Sequence, residues 1–211
     1  MKKLVLIGGG GHCKSCIEVI ESTKEYEIIG ILEKNTTDIQ SDVLGYPILG
    51  DDELIPTMIQ QNCVFLITIG QIKSANLRIK LFDTIKNNGG ELVTIIAPTA
   101  YVSSKTKIAE GTIIMHHAFV NTGVEIGTNC IVNTKAVLEH EVKVGNNCHI
   151  SVNAVLNGAV EIGDNCFVGS NAVFYQTVSI VSNTLIGAGS VVAKSLKNDG
   201  IYLGNPLRKI Q

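Results

Sequence analysis

The chain has 211 residues, 17 Lys plus Arg against 19 Asp plus Glu, 45% apolar residues, 5% aromatics and no Trp. The near-zero charge and only two arginines, Arg78 and Arg208, exclude a nucleic-acid binder that works by displacing counterions from a basic face. No apolar run reaches the length of a membrane span, and the apolar run after Lys2-Lys3 is too short for a secretory leader, so the expectation is a cytoplasmic protein whose six Cys are free thiols.

The first 97 residues alternate between strand and helix patterns. Leu4–Gly8 reads as a short buried strand running into glycines, and Ser15–Ser22 as a helix. Glu27–Leu32 is a second strand and Asp51–Gln60 a helix. Val64–Ile69 is a third strand, and Ser74–Lys86 an amphipathic helix with apolar residues at Leu77, Ile79, Leu81, Phe82 and Ile85. Leu92–Ile96 reads as the closing strand. Strands alternating with helices predict a parallel sheet of the Rossmann-like kind, with Pro98 at a boundary between domains 1–97 and 98–211.

From Val102 onward the rule becomes a period of six. An aliphatic residue stands at 102, 108, 114 and every sixth position to Ile186, broken only by Phe174, and the residue four later is always small or Val. This predicts a hexapeptide β-helix. Three hexads make one triangular coil of 18 residues, with an inward aliphatic side chain on each side and Gly, Asn or Asp at tight corners. A cross-section this narrow has little room for rings. About five coils, stacked at ~4.8 Å, give a prism roughly 24 Å long. Cys130, Cys148 and Cys166 recur at 18 residues and should form an inward ladder. Stacked identical positions make a line, which disfavours a tetrahedral metal site. Cys13-Lys14-Ser15-Cys16 has redox spacing, but a helix start packed on the sheet is the simpler reading.

Four of the five histidines, His116, His117, His140 and His149, lie in the repeat region, whose aliphatic interior has no use for them. Glu139-His140-Glu141 puts carboxylates beside an imidazole, a pairing that fixes the tautomer and suits a general base near neutral pH. Adjacent strand residues face opposite ways, so only one Glu is expected to reach the ring. The Gly8-Gly9-Gly10-Gly11-His12-Cys13 loop follows a strand and opens a helix. It fits the dinucleotide fingerprint only at Gly8-x-Gly10, yet its N–H groups can hold a phosphate.

Asn133-Thr134-Lys135-Ala136-Val137-Leu138-Glu139-His140-Glu141, followed by His149, the glycine loop, the closing Ile186-Gly187-Ala188-Gly189-Ser190-Val191-Val192 and Gly204-Asn205-Pro206 together resemble the left-handed β-helix sugar acyltransferases with an N-terminal Rossmann-like domain. That group includes the UDP-4-amino-sugar N-acetyltransferases of bacillosamine synthesis. The resemblance implies a left-handed coil and acetyl transfer from acetyl-CoA to the amino group of a UDP- or dTDP-linked 4-amino-deoxy sugar in surface glycan synthesis. The alternative within the family is O-acetylation of sialic acid. By resemblance His140 is the general base, Glu141 orients it, and Asn133 lies near the thioester sulfur. His149 would contact the acetyl carbonyl and Gly158 donate an N–H to the oxyanion. Ser170 and Ala188 would meet the pantetheine arm. Gly10, Gly11, His12 and Gly70 would meet the nucleotide-sugar. Glu33-Lys34 stands where the family tends to carry Asp near the base. The family implies a homotrimer with sites between neighbouring prisms, no metal, and no nucleic-acid or membrane partner. Two other classes fit parts of the sequence: a zinc enzyme of the carbonic anhydrase type using His116, His117 and His140, and a non-catalytic β-helix scaffold.

Overall fold

In the computed structural model, which describes residues 1–34 and 42–211, the N-terminal domain is a five-stranded sheet with helices. Its elements are β1 (Lys2–Ile7), α1 (Gly11–Thr23), β2 (Tyr26–Leu32), β3 (Asp42–Val43), β4 (Tyr46–Gly50), α2 (Ile55–Gln60), β5 (Val64–Ile67) and α3 (Asn76–Asn87). The sheet order is β3-β4-β2-β1-β5, parallel except for the β3–β4 pair. β1 lies between β2 and β5, so the chain winds both ways from it, and the crevice beyond its carboxyl end is where open α/β sheets take ligands. Leu4, Val5, Leu6 and Ile7 are all buried, as a strand covered on both faces requires.

The β3–β4 hairpin was not expected. It turns through Leu44 and Gly45, both at positive φ, and joins the sheet beside β2. The predicted helix at 51–60 begins as a single 3-10 turn, Asp52–Leu54, capped by the Asp51 carboxylate, before α2 starts at Ile55 with Pro56 in its first turn. The predicted strand Leu92–Ile96 divides. Leu92 bridges Phe65 in the N-terminal sheet, whereas Ile95–Ile96 pairs with Ile113–Ile114 as a rung of the repeat region.

Residues 95 onward form a parallel β-helix of two-residue rungs on three faces. The first face runs Ile95–Ile96, Ile113–Ile114, Ile131–Val132, His149–Ile150, Phe167–Val168 and Thr184–Ile186, and ends in the segments Gly200–Leu203 and Arg208–Lys209. The second runs from Tyr101–Val102 to Val191–Val192, and the third from Lys107–Ile108 to Ser179–Ile180. Rungs paired between Ile95 and Val192 are displaced by 18 residues, as the period of six requires, whereas the closing segment Gly200–Leu203 pairs with Thr184–Ile186 at 16. The inward column Ile114, Val120, Ile126, Val132 and Leu138 is buried, and so are Cys130, Cys148 and Cys166, each fully. Each of these thiols reaches a carbonyl fifteen residues on, at Gly145, Gly163 and Val181.

The corners explain the Asn and Gly content. Every sixth residue from Gly111 to Gly189 sits at a φ between 54° and 74°. L-residues reach this left-handed conformation at a cost, least for Gly and Asn. The third corner column is accordingly Asn129, Asn147, Asn165 and Asn183, whose amides form a ladder of hydrogen bonds. The corner after the second face is different: Gly123, Glu141, Ala159 and Thr177 occupy it, three of them residues that pay for this backbone.

The N-terminal domain sits on the first face, where Cys13, Cys16 and Ile17 of α1 join Ile95, Ile113 and Ile131 in one buried cluster. Behind it, Arg78 of α3 is 2% exposed. Its guanidinium donates to the carbonyls of Ile67 and Ile69, at 2.9 and 2.7 Å, and to the Asn129 backbone and side-chain oxygens, at 3.0 and 2.7 Å.

Candidate active site

Two groups of candidate residues emerge, on different edges of the prism. The first is a cleft of about 580 Å³ between the N-terminal domain and the first edge, which joins the first face to the second. Gly8, Gly10, Gly11, His12, Glu33, Gly70, Asn133 and His149 line it, with Ile72 and Leu77 at an apolar lip. Lys34 is exposed and lies outside that lining.

The glycine loop shapes one wall. Gly8 has φ +100°, and a side chain there would run into Ile69, so only glycine fits. Gly10 is the N-cap of α1 and no side chain caps the helix. The first-turn N–H groups therefore stand at the cleft with the positive end of the helix dipole. Gly10 and Gly11 have open space where a Cβ would be. The Glu33 carboxylate takes the Gly9 N–H at 2.7 Å, tying the end of β2 to the loop. Among the described residues, no Lys or Arg lines the cleft. Cys13 and Cys16 are buried under the loop rather than presented in it, and the Cys16 sulfur lies 3.4 Å from His12 Nε2.

His149 forms the opposite wall. Its Nδ1 is 2.7 Å from the Gln71 carbonyl, its Nε2 is 3.1 Å from Asn133 Nδ2, and its ring meets Phe167 edge-on. Burial pushes its pKa down to about 4, against the pull of the Gln71 carbonyl. Burial, then the neighbouring His149 and Arg78, lowers His12 to about 4 as well. Both rings are neutral at pH 7. Gln71 was not foreseen. It is buried, and its Nε2 donates to the prism carbonyls of Asn147 and Cys166.

Residues 18 apart stack along this edge. Thr134, Val152, Ser170 and Ala188 fall in one column, held by backbone bonds between successive corners such as Asn153 N to Thr134 O and Gly189 N to Ser170 O. Ser170 also pairs with Ser151 at 3.0 Å. Ser170 and Ala188 thus share an edge with Asn133 and lead away from the cleft in small steps.

The second group is on the second edge, between the second and third faces. His140 Nδ1 lies 3.3 Å from Glu141 Oε2, with both side chains exposed. Glu139 turns elsewhere and accepts from Asn121 Nδ2 at 2.7 Å. Gly158, one coil on, lies against the imidazole: a Cβ there would be 2.5 Å from His140 Cε1 and Nε2. Glycine is needed here to leave room for the ring. Asn133 is on the first edge, with the whole second face between it and His140. The expected cofactor residues divide in the same way: Asn133, Ser170 and Ala188 on the first edge with His149 on the adjoining first face, Gly158 with His140.

His116 Nδ1 is taken by Thr99 Oγ1 at 2.8 Å, and His140 lies on another edge, so within one chain the three histidines of the zinc alternative do not converge. No group of three metal-capable side chains occurs among the described residues, and no helix there is long and apolar enough to cross a membrane.

Comparison with known proteins agrees with this architecture. The family profile of the PglD N-terminal domain matches residues 3–85, and that of the bacterial transferase hexapeptide (six repeats) matches 141–176 and 159–194. The chain is 32% identical to perosamine N-acetyltransferase from Caulobacter crescentus, solved with CoA and GDP-perosamine, at a TM-score of 0.92 over 100% of this chain and 98% of that one. The acetyltransferase domain of PglB from Neisseria gonorrhoeae, solved with acetyl coenzyme A, is 28% identical with a TM-score of 0.92 over 99% of both chains. UDP-N-acetylbacillosamine N-acetyltransferase of Bacillus subtilis is 29% identical over 117 residues, 54% of this chain and 52% of that protein.

Proposed function

The chain belongs to the sugar N-acetyltransferases that join a PglD N-terminal domain to hexapeptide repeats, and on that premise we propose that it transfers acetyl from acetyl-CoA to the amino group of a nucleotide-linked 4-amino-deoxy sugar. The observation that carries this reading is the cleft, which joins an uncapped, glycine-lined helix start to Asn133 and His149 at the head of the small-residue edge. Helix N–H groups suit the diphosphate of a nucleotide-sugar where no basic side chain lines the wall. The apolar lip of Ile72 and Leu77 suits a deoxy sugar. The pantetheine arm would follow Ser170 and Ala188, where side chains are small.

In this reading His140 takes the proton from the attacking amine through Nε2, with Glu141 holding Nδ1. The developing oxyanion needs a donor, and the Gly158 N–H is the proposed one. Glu33, beside the loop, belongs to the nucleotide site. The cytoplasm, where six free cysteines stay reduced, is the proposed compartment.

His140 and the cleft are separated in one chain, so the reading requires a second copy. The second face supports this: its outward column is Tyr101, Phe119, Val137, Val155, Val173 and Val191, with Tyr101 and Phe119 stacked at 4.9 Å. The outward column of the third face is charged, with Lys107–Glu125 and Lys143–Glu161 pairs at 2.7 and 2.9 Å. An apolar strip on one side only suits self-association. Three prisms with their second faces inward would set the His140 edge of one beside the Asn133 edge of the next, so the proposed assembly is a homotrimer with shared sites.

The test is acetyl transfer from acetyl-CoA to UDP-, dTDP- and GDP-linked 4-amino sugars, with sialic acid as the hydroxyl competitor. Transfer to sialic acid alone would favour the O-acetyltransferase; transfer to neither would overturn the reading.

A further inference from the structure

A cation lies one layer behind the cleft wall. Arg78 Nη1 donates to the carbonyls of Ile67 and Ile69, and residues 68–71 of the same segment line the cleft. Arg78 Nη2 donates to the Asn129 backbone and side-chain oxygens. All four acceptors are neutral oxygens. The Arg78 Nε–H is buried and has no acceptor. Among the described residues, no carboxylate pairs with the guanidinium. A buried charge is ordinarily paired, because stripping its water is costly. Arg78 stays charged all the same: burial lowers its pKa only to about 10.

The field of this charge reaches both walls of the cleft. It acts at His12 and at His149, where it adds to the burial that keeps the rings neutral. Neutral rings bring no charge of their own. The uncapped start of α1 faces the same space, so a helix N-terminus and a guanidinium set two positive ends toward one cavity. The Glu33 carboxylate in the lining is taken up by the Gly9 N–H. Lys34 is exposed and outside the lining, where salt screens it.

We propose, on the acetyltransferase reading above, that Arg78 is the electrostatic anchor of the nucleotide-sugar: its buried, unpaired charge draws the diphosphate onto the α1 N-terminus through the wall, and the diphosphate is the counter-ion that the folded chain lacks. Arg78 touches no substrate atom and is a positioning residue. Across about 10 Å at an effective dielectric of about 20, one unit charge changes the binding of another by about tenfold. A clamp between two domains could be built from neutral donors; a charge adds selectivity. It favours a sugar that carries a diphosphate over the free amino sugar, whose ammonium it repels.

The test measures Kd at pH 7 for a nucleoside and its diphosphate, in uridine, thymidine and guanosine sets, by calorimetry, with the weak nucleoside followed by NMR titration. The readout is the ratio of the two constants in the set that binds. Arg78→Met and Arg78→Gln remove the charge, Gln keeping an amide donor should Met fail to fold. Arg78→Lys keeps the charge on one nitrogen that cannot span both pairs of oxygens. The neutral variants should lose the preference for diphosphate by about tenfold or more, and Arg78→Lys should hold it within about threefold of wild type even if both ligands weaken. Equal weakening of nucleoside and diphosphate in a folded neutral variant overturns the proposal, because that is what a purely structural clamp predicts. Loss of the preference in Arg78→Lys overturns it as well, whether or not the neutral variants fold. A wild type that binds none of the diphosphates sinks the nucleotide-sugar reading itself, whereas binding indifferent to Arg78 sinks this inference alone.

Discussion

Gly158 lies so close to His140 that a Cβ would sit 2.5 Å from two ring atoms, Cε1 and Nε2. The neighbour that would have to yield is an exposed imidazole, free to rotate away. Gly158→Ala should therefore fold normally and displace the ring. A misplacement of about 1 Å can cost on the order of 10²-fold in rate. Steady-state acetyl transfer should show kcat down about 10²-fold with the unfolding midpoint little changed; a wild-type kcat would remove the ring-clearance role.

Glu141 combines a role beside the base with an unfavourable backbone, at φ 62°. Asn is the residue this fold uses at such corners. Glu141→Asn should raise stability by about 0.5–1 kcal/mol, relieving part of the left-handed penalty, while kcat falls because Nδ1 loses its carboxylate. Urea denaturation and kinetics on the same variant check both signs. His140→Ala, by contrast, should lose about 10²–10⁴-fold in kcat, the span of general-base catalysis.

The two cleft histidines give stability a definite pH dependence. Both titrate near pH 4 when folded, against about 6.5 when unfolded. Between those values the unfolded chain binds more protons, so stability is intact above about pH 6.5 and lost as pH falls toward 4. At pH 5 the loss is about 2 kcal/mol per ring. Urea midpoints at pH 7 and 5 should show the drop, and His149→Gln should roughly halve it.

Arg78→Met removes the donor to the carbonyls of Ile67, Ile69 and Asn129 in a buried place. Leaving them unpaired should destabilise the chain by about 2–4 kcal/mol. Denaturation gives the size.

Val155→Lys places a charge in the middle of the apolar second face. The expected outcome is a monomer by light scattering, with a folded prism and no acetyl transfer, since His140 and the cleft then lie on separate molecules.

The prism was legible to the residue because a period of six repeats in sequence what 18-residue coils repeat in space. The glycine loop and the His140–Glu141 pair are short local motifs, and Ser170 and Ala188 were singled out by the family resemblance. What was hidden depends on contacts between distant segments. Arg78 reads as one cation on an amphipathic helix until α3 is set against Asn129. Gln71 has no motif at all. Gly158 could be placed one coil from His140 by counting, but counting does not show that the ring lies over it. Asn133 and His140, seven residues apart, look like one site; a corner-to-corner turn of the chain puts a face of the prism between them. The β3–β4 hairpin escaped notice because β3, with two residues, carries too little alternation to register.

The uniform coil turns the prism into a ruler. Asn133 and Gly187 occupy equivalent corners three coils apart, which at ~4.8 Å per coil is about 14 Å. The edge therefore fixes where an extended co-substrate is gripped relative to where it reacts, in whole steps and nothing between. Excising one complete 18-residue coil would leave every corner, rung and inward side chain correctly matched. It would still bring the far anchorage one step too near, a protein sound in every local detail and mismatched only in length.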